Sequence, residues 1–322
     1  MKAENKIATV FGGTGFVGRH VVHHLARAGY TVKVATRVPE RAYFLRVCGG
    51  VGQVVPVACN YGDHESLRGA VAGSRLVVNC IGVLHERRRG DFKRTHVEIP
   101  AAIAAACKLG GVERFVHISA LGVDKSSSRY AFSKREGEKA VRAVFPAATV
   151  LRPSVIFGAE DRFINTFAEL ARYVPALPLI GGGRTKFQPV WVSDVADAVM
   201  AALILPSLGE SDPRGKTFEL GGPEVVTFRE ILERIFLFTG RKKKLVSLPW
   251  GLASLMAFFL GLLPAPLLTP DQVSSLRYDS VVGPETLTFE NFGVRPAGMT
   301  VILPEYLSQY RPGGRFGDKK RA

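Results

Sequence analysis

Tyr130 and Lys134 have residue types and a spacing that indicate proton transfer, since residues four apart in a predicted helix lie on the same face. A lysine ammonium at that position lowers the pKa of the tyrosine and anchors a ribose, and the phenol then exchanges a proton with a substrate oxygen. Ser119, at the end of a predicted strand, is expected to polarise the same oxygen; a plain strand-end hydrogen bond is the alternative. Asn79, in the preceding strand, is expected to bond the backbone beside this site. Together these residues predict the acid–base groups of a hydride-transfer site.

A glycine-rich turn near the N terminus predicts a nucleotide site. The apolar run Ile7–Phe11 suits a strand, and Gly12, Gly15 and Gly18 follow it at intervals of three. Such glycines allow a sharp turn, a close approach of the backbone to a pyrophosphate, and close packing of the next helix on the sheet. Gly13 with the later two glycines also fits the ordinary G-x-G-x-x-G pattern, so the spacing leaves the subfamily open.

The helix that follows the turn is predicted over residues 16–28. Its N terminus directs a positive dipole end and free backbone amides toward the phosphates. The residues expected to contribute from this turn and first helical turn, besides the glycines, are Thr14, Phe16, Val17 and Arg19.

The end of the second predicted strand, residues 31–36, bears on the choice of cofactor. A carboxylate there would bind the 2′-hydroxyl of NAD, whereas an arginine pairs with the 2′-phosphate of NADP. This chain has Arg37 at that point and Arg19 directly after the last glycine, so NADP(H) is favoured over NAD(H). Glu40 lies near enough in sequence to leave NAD open as the cofactor. The alternative interpretation of Arg19 and Arg37 is that both side chains merely face solvent. Asp63 is placed to contact the adenine amino group, although a helix N-cap would have the same sequence.

Strand and helix patterns alternate along the first half, which predicts an α/β fold with a doubly wound parallel sheet of the Rossmann type. The predicted strands are 7–11, 31–36, 54–58, 76–81, 114–119 and 148–151, and the further helices are 64–72, 99–109 and 130–145. Beyond Pro153 the predicted helices are 163–173 and 227–239, the predicted strands are 188–192 and 217–220, and a loop is predicted over 175–183. A further helix is predicted to be capped by Ser193 or Asp194 and to end near Leu205.

The predicted domain organisation is a large domain with a smaller, interwoven C-terminal subdomain. Residues 1–155 form the NADP(H)-binding domain, to which residues 186–206 return. Residues 156–310 form the smaller subdomain for substrate or partner, and residues 311–322 are expected to be a basic disordered tail.

Composition limits the partners and the compartment. The chain has 322 residues, 47% of them hydrophobic, and a net charge of +15. Its four cysteines lack metal-type spacing, so reduced thiols, a cytoplasmic location and no metal site are expected. A strand starting near residue 6 leaves no room for a leader. The basic runs lack a nucleic-acid motif, which favours an anionic membrane face or an acidic partner over nucleic acid.

Residues 245–270 contain no charged residue and follow the basic run 241–244. Prolines limit the uninterrupted helix to 250–263, about 21 Å long at 1.5 Å per residue, which is shorter than the ~30 Å hydrocarbon core. Two interpretations stay open: a helix packed over the second domain, or an interfacial or partner-docking helix with Trp250 at its edge.

Several motifs together resemble the extended or atypical short-chain dehydrogenase/reductases, which are similar to NAD-dependent epimerases and dehydratases. The resemblance spans residues 6 to about 200 and rests on Gly12-x-x-Gly15-x-x-Gly18, Asp63, Asn79, Ser119, Tyr130-Ala-Phe-Ser-Lys134 and Arg152-Pro153. Longer strings at 8–19, 126–130, 156–163 and 188–190 resemble the alpha accessory subunit of respiratory complex I and its bacterial relatives. The C-terminal third matches that branch mostly in its proline-broken apolar segment.

The resemblance implies a bound NADPH with a mainly structural role at the junction of the peripheral and membrane arms of complex I. Carried over by motif, Gly12, Gly15, Gly18, Arg19 and Arg37 hold phosphates, Tyr130 and Lys134 hold the nicotinamide ribose, and Pro153 lies beside the cofactor. The serine, tyrosine and lysine are all present, so turnover stays open. The absence of the family's presequence suggests a bacterial homologue.

Three functions therefore follow as hypotheses. The first is a cofactor-stabilised accessory protein of NADH:quinone oxidoreductase, cytoplasmic and peripherally bound to the cytoplasmic face of the inner membrane through residues 245–270. The second is an active NADP(H)-dependent reductase, epimerase or dehydratase acting on an apolar substrate related to quinones or isoprenoids. The third is a sensor of the NADPH/NADP ratio.

Overall fold

The computed structural model describes residues 6–205, 212–263, 266 and 268–314. Strands and helices alternate through its first half. The strands are β1 (Ile7–Phe11), β2 (Thr31–Thr36), β3 (Val54–Ala58), β4 (Leu76–Asn79), β5 (Arg114–Ile118) and β6 (Thr149–Pro153). The helices are α1 (Phe16–Arg27), α2 (His64–Val71), α3 (Asp91–Lys93), α4 (Ile99–Leu109) and α5 (Arg129–Val144).

The later elements are shorter. The strands are β7 (Ile156–Phe157), β8 (Ala176–Ile180), β9 (Lys186–Phe187), β10 (Val190–Trp191), β11 (Thr217–Leu220), β12 (Val226–Thr227) and β13 (Lys244–Leu248). The helices are α6 (Phe163–Tyr173), α7 (Val192–Ile204), α8 (Phe228–Thr239), α9 (Trp250–Gly261), α10 (Pro270–Ser275) and α11 (Met299–Leu307).

Seven parallel strands form the central sheet in the order β11-β6-β5-β4-β1-β2-β3. The predicted doubly wound α/β fold is therefore confirmed. Strand order reverses at β1, with β2 on one side of it and β4 on the other. In such sheets a crevice opens at the carboxyl ends of the strands beside the reversal, and ligands bind there.

Hydrophobic cores cover both faces of the sheet. Successive strand residues point to opposite faces, so Val10 packs with the core that contains α1 and α7, while Phe11 packs with α2 and α4 on the other side. The later part of the chain returns to this sheet, because α7 packs on α1 and β11 forms the edge strand beside β6. A separate core joins α6, α8 and α11 around Phe228, Ile231 and Leu303.

Two local predictions are wrong. The loop expected over residues 175–183 contains β8, which pairs in parallel with β13. The N-cap of α7 is Trp191, so neither Ser193 nor Asp194 is the cap. Asp194 lies in the first turn of α7, and its carboxylate accepts a hydrogen bond from the backbone N–H of Ala297 at 2.7 Å. The Asp194 carboxylate thus bonds a distant segment of the chain, although the local sequence pattern predicts that it caps the helix.

The helix predicted over residues 99–109 is confirmed as α4, and helical backbone that the sequence did not indicate precedes it. Helical backbone begins with α3, and residues Arg94–Glu98 form a π-helical turn before α4. Single π turns within helices occur frequently at functional sites.

The apolar segment contains α9, of which only Ala253 and Ala257 are buried. Leu252, Leu255, Phe258 and Phe259 are exposed, Phe258 to 56% and Phe259 to 61%, whereas Trp250, Met256 and Leu260 are partly buried. No helix within the described ranges is long and apolar enough to cross a membrane. Pro264, Leu267 and the predicted tail beyond residue 314 lie outside the described residues.

Candidate functional site

The turn between β1 and α1 brings the start of the helix against the strand end. Gly12 has φ of +73°, and a Cβ there would lie 2.9 Å from the carbonyl carbon of Cys80. A Cβ on Gly18 would overlap the carbonyl oxygen of Gly12, so only glycine permits this approach. The N-cap is Gly15, which provides no side-chain cap for the first amides of α1. These amides, from residues that include Phe16 and Val17, therefore remain donors at the crevice.

Arg19 lies in the first turn of α1, and Arg37 directly follows β2. The guanidinium of Arg19 lies over the Phe44 ring at 5.3 Å from its centroid, and Nη1 is 3.6 Å from Oε1 of Glu160. Arg37 follows β2, is exposed, and lies 5.9 Å from the centroid of the Tyr61 ring. The Arg19 guanidinium also donates to the carbonyl oxygens of Gly15 at 3.3 Å and Thr14 at 3.4 Å.

Asp63 caps α2 in this structure. Its two carboxylate oxygens accept from the backbone N–H groups of Glu65 at 3.1 Å and Ser66 at 3.2 Å. The capping alternative therefore accounts for this residue, and a contact with adenine stays a prediction.

Lys134 is buried and its Nζ donates to the carbonyl oxygen of Ile118 at 2.9 Å. Burial lowers its pKa to about 8, although the nearby Glu138 carboxylate acts in the opposite direction. The ammonium is therefore fixed at the end of β5, where it can hold ribose hydroxyls.

Tyr130 lies one helical turn before Lys134, and its ring packs edge-on against Phe92 and His96 at centroid distances of 5.9 and 5.4 Å. Burial raises the pKa of Tyr130 to about 12. The expected lowering of this pKa by Lys134 is therefore wrong for this structure. The low polarity around the phenol dominates, because the lysine ammonium is directed at the Ile118 carbonyl.

Two buried polar atoms on one face of β5 and its extension have no hydrogen-bond partner among the described residues: Oγ of Ser119 and Nε2 of His117. The protonation of His117 follows from its neighbour Asn79. Oδ1 of Asn79 accepts from the backbone N–H of Ile81 at 3.0 Å, so Nδ2 faces Nδ1 of His117 at 3.1 Å. Nδ1 must then accept, and Nε2 carries the proton. Burial and the charge of Lys134 hold the pKa of His117 well below its usual range.

His96 and His117 are site residues that sequence reasoning missed. His96 lies in the π turn and accepts from the backbone N–H of Val83 at 3.1 Å through Nε2. Its Nδ1 contacts Oγ of Ser133 at 2.8 Å, and the Ser133 hydroxyl donates to the Tyr130 carbonyl at 2.7 Å. Burial lowers the pKa of His96 to about 3. No local spacing reveals this role, because the π turn and α5 meet only in the folded chain.

The end of β6 completes the crevice. Pro153 is the last residue of this strand, and its carbonyl accepts from the N–H of Leu121 at 2.9 Å. The Arg152 guanidinium binds Glu138 with Nε at 2.9 Å and Nη2 at 2.7 Å, and binds Asp124 at 2.6 Å. This ion pair ties β6 to α5, so the helix that carries Tyr130 is fixed relative to the sheet.

These residues fit a nicotinamide dinucleotide. The uncapped amides of α1 and the glycine contacts match a pyrophosphate, and the buried Lys134 ammonium matches ribose hydroxyls. Ser119 provides a hydroxyl at the end of β5 that no group within the described ranges pairs. A nicotinamide cofactor supplies or accepts a hydride when bound. In such a complex the α1 amides and Lys134 would hold the cofactor, and Tyr130 would be the group able to offer a proton. Among the described residues no cluster of His, Cys, Asp and Glu could hold a metal ion.

Comparisons with known proteins agree with this geometry. The model of the NAD dependent epimerase/dehydratase family matches residues 8–221. The chain is 38% identical to the Arabidopsis thaliana protein named NADH dehydrogenase (ubiquinone) 1 alpha subcomplex subunit 9, mitochondrial, covering 97% of this chain and 80% of that one. It is 40% identical to the Mus musculus protein of the same name, covering 95% and 80% of the two chains.

A solved structure with a similar fold is the NADPH-dependent quinone oxidoreductase of Escherichia coli complexed with NADPH. Its TM-score is 0.72 at 20% identity, and the match covers 94% of this chain and 98% of that one. At this identity the likeness concerns the fold alone.

We expect Gly18→Ala to weaken dinucleotide binding at least about tenfold and to destabilise the protein by about 1–3 kcal/mol, since the new methyl group overlaps the Gly12 carbonyl and forces α1 away from the turn. Titration calorimetry with NADPH and thermal unfolding measure the two effects. The control is Gly69→Ala in α2, where a Cβ meets nothing within 4 Å. Unchanged affinity in Gly18→Ala contradicts the close approach at this turn.

Proposed function

This chain belongs to the NAD dependent epimerase/dehydratase family, and we propose that it is a dinucleotide-stabilised accessory protein of a respiratory NADH:quinone oxidoreductase. The observation that carries the proposal is the uncapped start of α1 behind Gly12 and Gly18, in a chain that is similar over almost its whole length to alpha subcomplex subunits of NADH dehydrogenase. The pyrophosphate joins β1, the turn and α1, so the bound dinucleotide stabilises the domain that the complex recognises.

Native mass spectrometry of the protein purified from its source tests this proposal. We expect a retained dinucleotide and co-purification with subunits of the respiratory complex. Purification as a free protein that lacks the dinucleotide contradicts it.

NADP(H) is the proposed cofactor in preference to NAD(H). Arg37 follows β2 directly, at the position where a carboxylate would bind the 2′-hydroxyl of NAD. Arg19 lies at the start of α1 and packs on Phe44. Glu40 belongs to the first turn of the 3₁₀ helix Pro39–Cys48 and is exposed. Two arginines with permanent charge match a phosphate better than a hydroxyl.

Arg37→Glu should weaken NADPH binding at least about tenfold, because it removes a charged partner of the 2′-phosphate and adds a repulsive carboxylate. NADH binding should change much less. Calorimetry with both cofactors gives the ratio, and Lys108→Glu, an equal charge change at the end of α4, is the control. Equal losses for the two cofactors remove the assignment of the 2′-phosphate to Arg37.

Peripheral contact with the cytoplasmic face of a membrane is the proposed location. The exposed side chains of α9 form an apolar face, which consists of Leu252, Leu255, Phe258, Phe259 and Leu262. The basic run 241–244 precedes it, and Arg277 lies over the Trp250 ring at 5.1 Å. An apolar face with cations and a tryptophan at its edge suits the interface of an anionic bilayer.

The double variant Phe258→Ser, Phe259→Ser should reduce binding to anionic phospholipid vesicles at least about tenfold, because each exposed ring contributes about 1.5–3 kcal/mol when it leaves water. Vesicle co-sedimentation measures the loss. Leu237→Ser with Val301→Ser is the matched control, since those side chains are also exposed but lie outside α9. Unchanged sedimentation shows that α9 does not carry the membrane contact.

A second candidate function, catalytic reduction of an apolar substrate related to quinones or isoprenoids, is favoured by one observation. The hydroxyl of Ser119 is buried without a hydrogen-bond partner in the described part of the chain, next to the Ile118 carbonyl that Lys134 contacts, where a substrate oxygen would be polarised. Tyr130 lies on the adjacent helix turn and carries the proton that reduction of a carbonyl or quinone requires.

If this second function is correct, the protein oxidises NADPH in the presence of a short-chain quinone, and Tyr130→Phe lowers the rate at least about a hundredfold while NADPH still binds. Absorbance at the nicotinamide band and calorimetry separate the two effects. No turnover by the unaltered protein, or equal rates in the variant, excludes Tyr130 as the proton donor.

A further inference from the structure

The start of α5, which carries Tyr130, is held by a carboxylate from a distant part of the chain. Oδ1 of Asp271 accepts from the N–H of Arg129 at 2.7 Å, and Oδ2 accepts from the N–H of Tyr130 at 3.0 Å. Ser128, the local N-cap, accepts from the N–H of Ala131 and from the hydroxyl of Ser126, each at 3.1 Å, and from neither the Arg129 nor the Tyr130 amide among the described contacts. Asp271 therefore pairs two amides that the helix itself leaves free, one of them that of Tyr130.

Asp271 belongs to α10, and this short helix packs on α9. Val273, two residues further, is buried in a small core with Ala253 and Ala257 of α9 and with Ile180 of β8. A six-residue helix has little stability of its own. The place of α10 is fixed by its packing against α9 and by the Asp271 hydrogen bonds to α5, together with a capping box of Thr269 and Gln272 at its start.

The path from the apolar face to the site is thus short and continuous: the exposed side of α9, its buried Ala253 and Ala257, Val273, Asp271, and the amide of Tyr130. The next carboxylate along the chain, Asp279, has a different partner. It accepts from the N–H of Lys186, the first residue of β9, at 2.8 Å and has no hydrogen bond to α5 among the described contacts. Comparing substitutions of Asp271 and Asp279 therefore distinguishes a specific effect on α5 from a general loosening of the segment that contains both residues.

We propose that Asp271 is a positioning residue for Tyr130 and that it couples contact on the apolar face of α9 to the dinucleotide site. The link to membrane and cofactor rests on the proposed function, whereas the link from α9 to Tyr130 rests on the contacts within the chain. A surface that binds α9 restrains α10, keeps the carboxylate on the two amides, and so favours the arrangement of Tyr130 and Lys134 that receives the nicotinamide ribose. By linkage, the dinucleotide strengthens the surface contact by the same factor.

Hydrogen–deuterium exchange in the full chain tests the internal link without cofactor or membrane. Asp271→Asn should speed exchange at residues 128–132 at least about fivefold, because the amides lose a charged acceptor. Val273→Ala should do the same by loosening α10 from α9. The matched controls, Asp279→Asn and the exposed Leu255→Ala, should leave exchange there unchanged. Equal exchange in Asp271→Asn and the unaltered protein overturns the proposal, as does an effect of Asp271→Asn that Asp279→Asn reproduces.

A double-variant comparison then tests the coupling. If Val273 acts through Asp271, the double variant Asp271→Asn, Val273→Ala exchanges no faster at residues 128–132 than Asp271→Asn alone. If the increase in exchange rate of the double variant is the product of the two single-variant increases, the two residues act independently and the path is contradicted. The last arm measures NADPH affinity with and without anionic phosphatidylglycerol vesicles. We expect the unaltered protein to bind NADPH about fivefold more tightly on vesicles than in their absence. In Asp271→Asn we expect the same NADPH affinity with and without vesicles.

A merely structural role would weaken NADPH binding equally with and without vesicles and leave the ratio unchanged. If the unaltered protein binds vesicles but has the same affinity for NADPH with and without them, the coupling is overturned. Failure to bind NADPH or vesicles at all counts against the proposed function instead, and the exchange results then decide the internal link.

Discussion

The contact on which the structure of the site depends is the approach of Gly18 to the carbonyl oxygen of Gly12. It allows α1 to start directly at the end of β1 with no side chain over its first amides. A helix end with unpaired N–H groups is a stable arrangement only if water or a ligand satisfies them. Because β1 lies where the strand order reverses, these donors point into the crevice between β1 and β4. Backbone geometry alone thus provides a set of donors that suits an anion.

The second determinant of the site is the burial of its ionisable groups. Lys134 is the cation of the inner crevice, and the histidines beside it, His96 and His117, are kept neutral by burial. Their hydrogen bonds also define their tautomers, since Val83 donates to one ring and Asn79 to the other. The inner crevice therefore combines one ammonium with neutral donors, which suits hydroxyl and carbonyl oxygens of a ligand. Tyr130 stays protonated there at neutral pH, so it can donate a proton but does not start as a phenolate.

Much of the fold could be predicted from sequence because its signals are local. Each of these signals lies within a short stretch of sequence. Examples are the apolar run Ile7–Phe11, the glycine spacing, and the position of Tyr130 four residues before Lys134. The features that sequence reasoning missed depend on contacts between distant segments. The π turn that holds His96 meets α5 only in the folded chain, and Asp271 reaches α5 across more than a hundred residues of sequence. Asp194 shows the same limit, since its bond to Ala297 replaces the expected cap.

The central claim is that backbone amides at the start of α1 bind the pyrophosphate of a dinucleotide. A crystal structure of the protein with saturating NADPH, supported by calorimetry under the same conditions, tests this most directly. The account predicts phosphate oxygens within about 3 Å of the N–H groups of the turn and first helical residues. A vacant turn in that crystal, with no heat of binding, would contradict it.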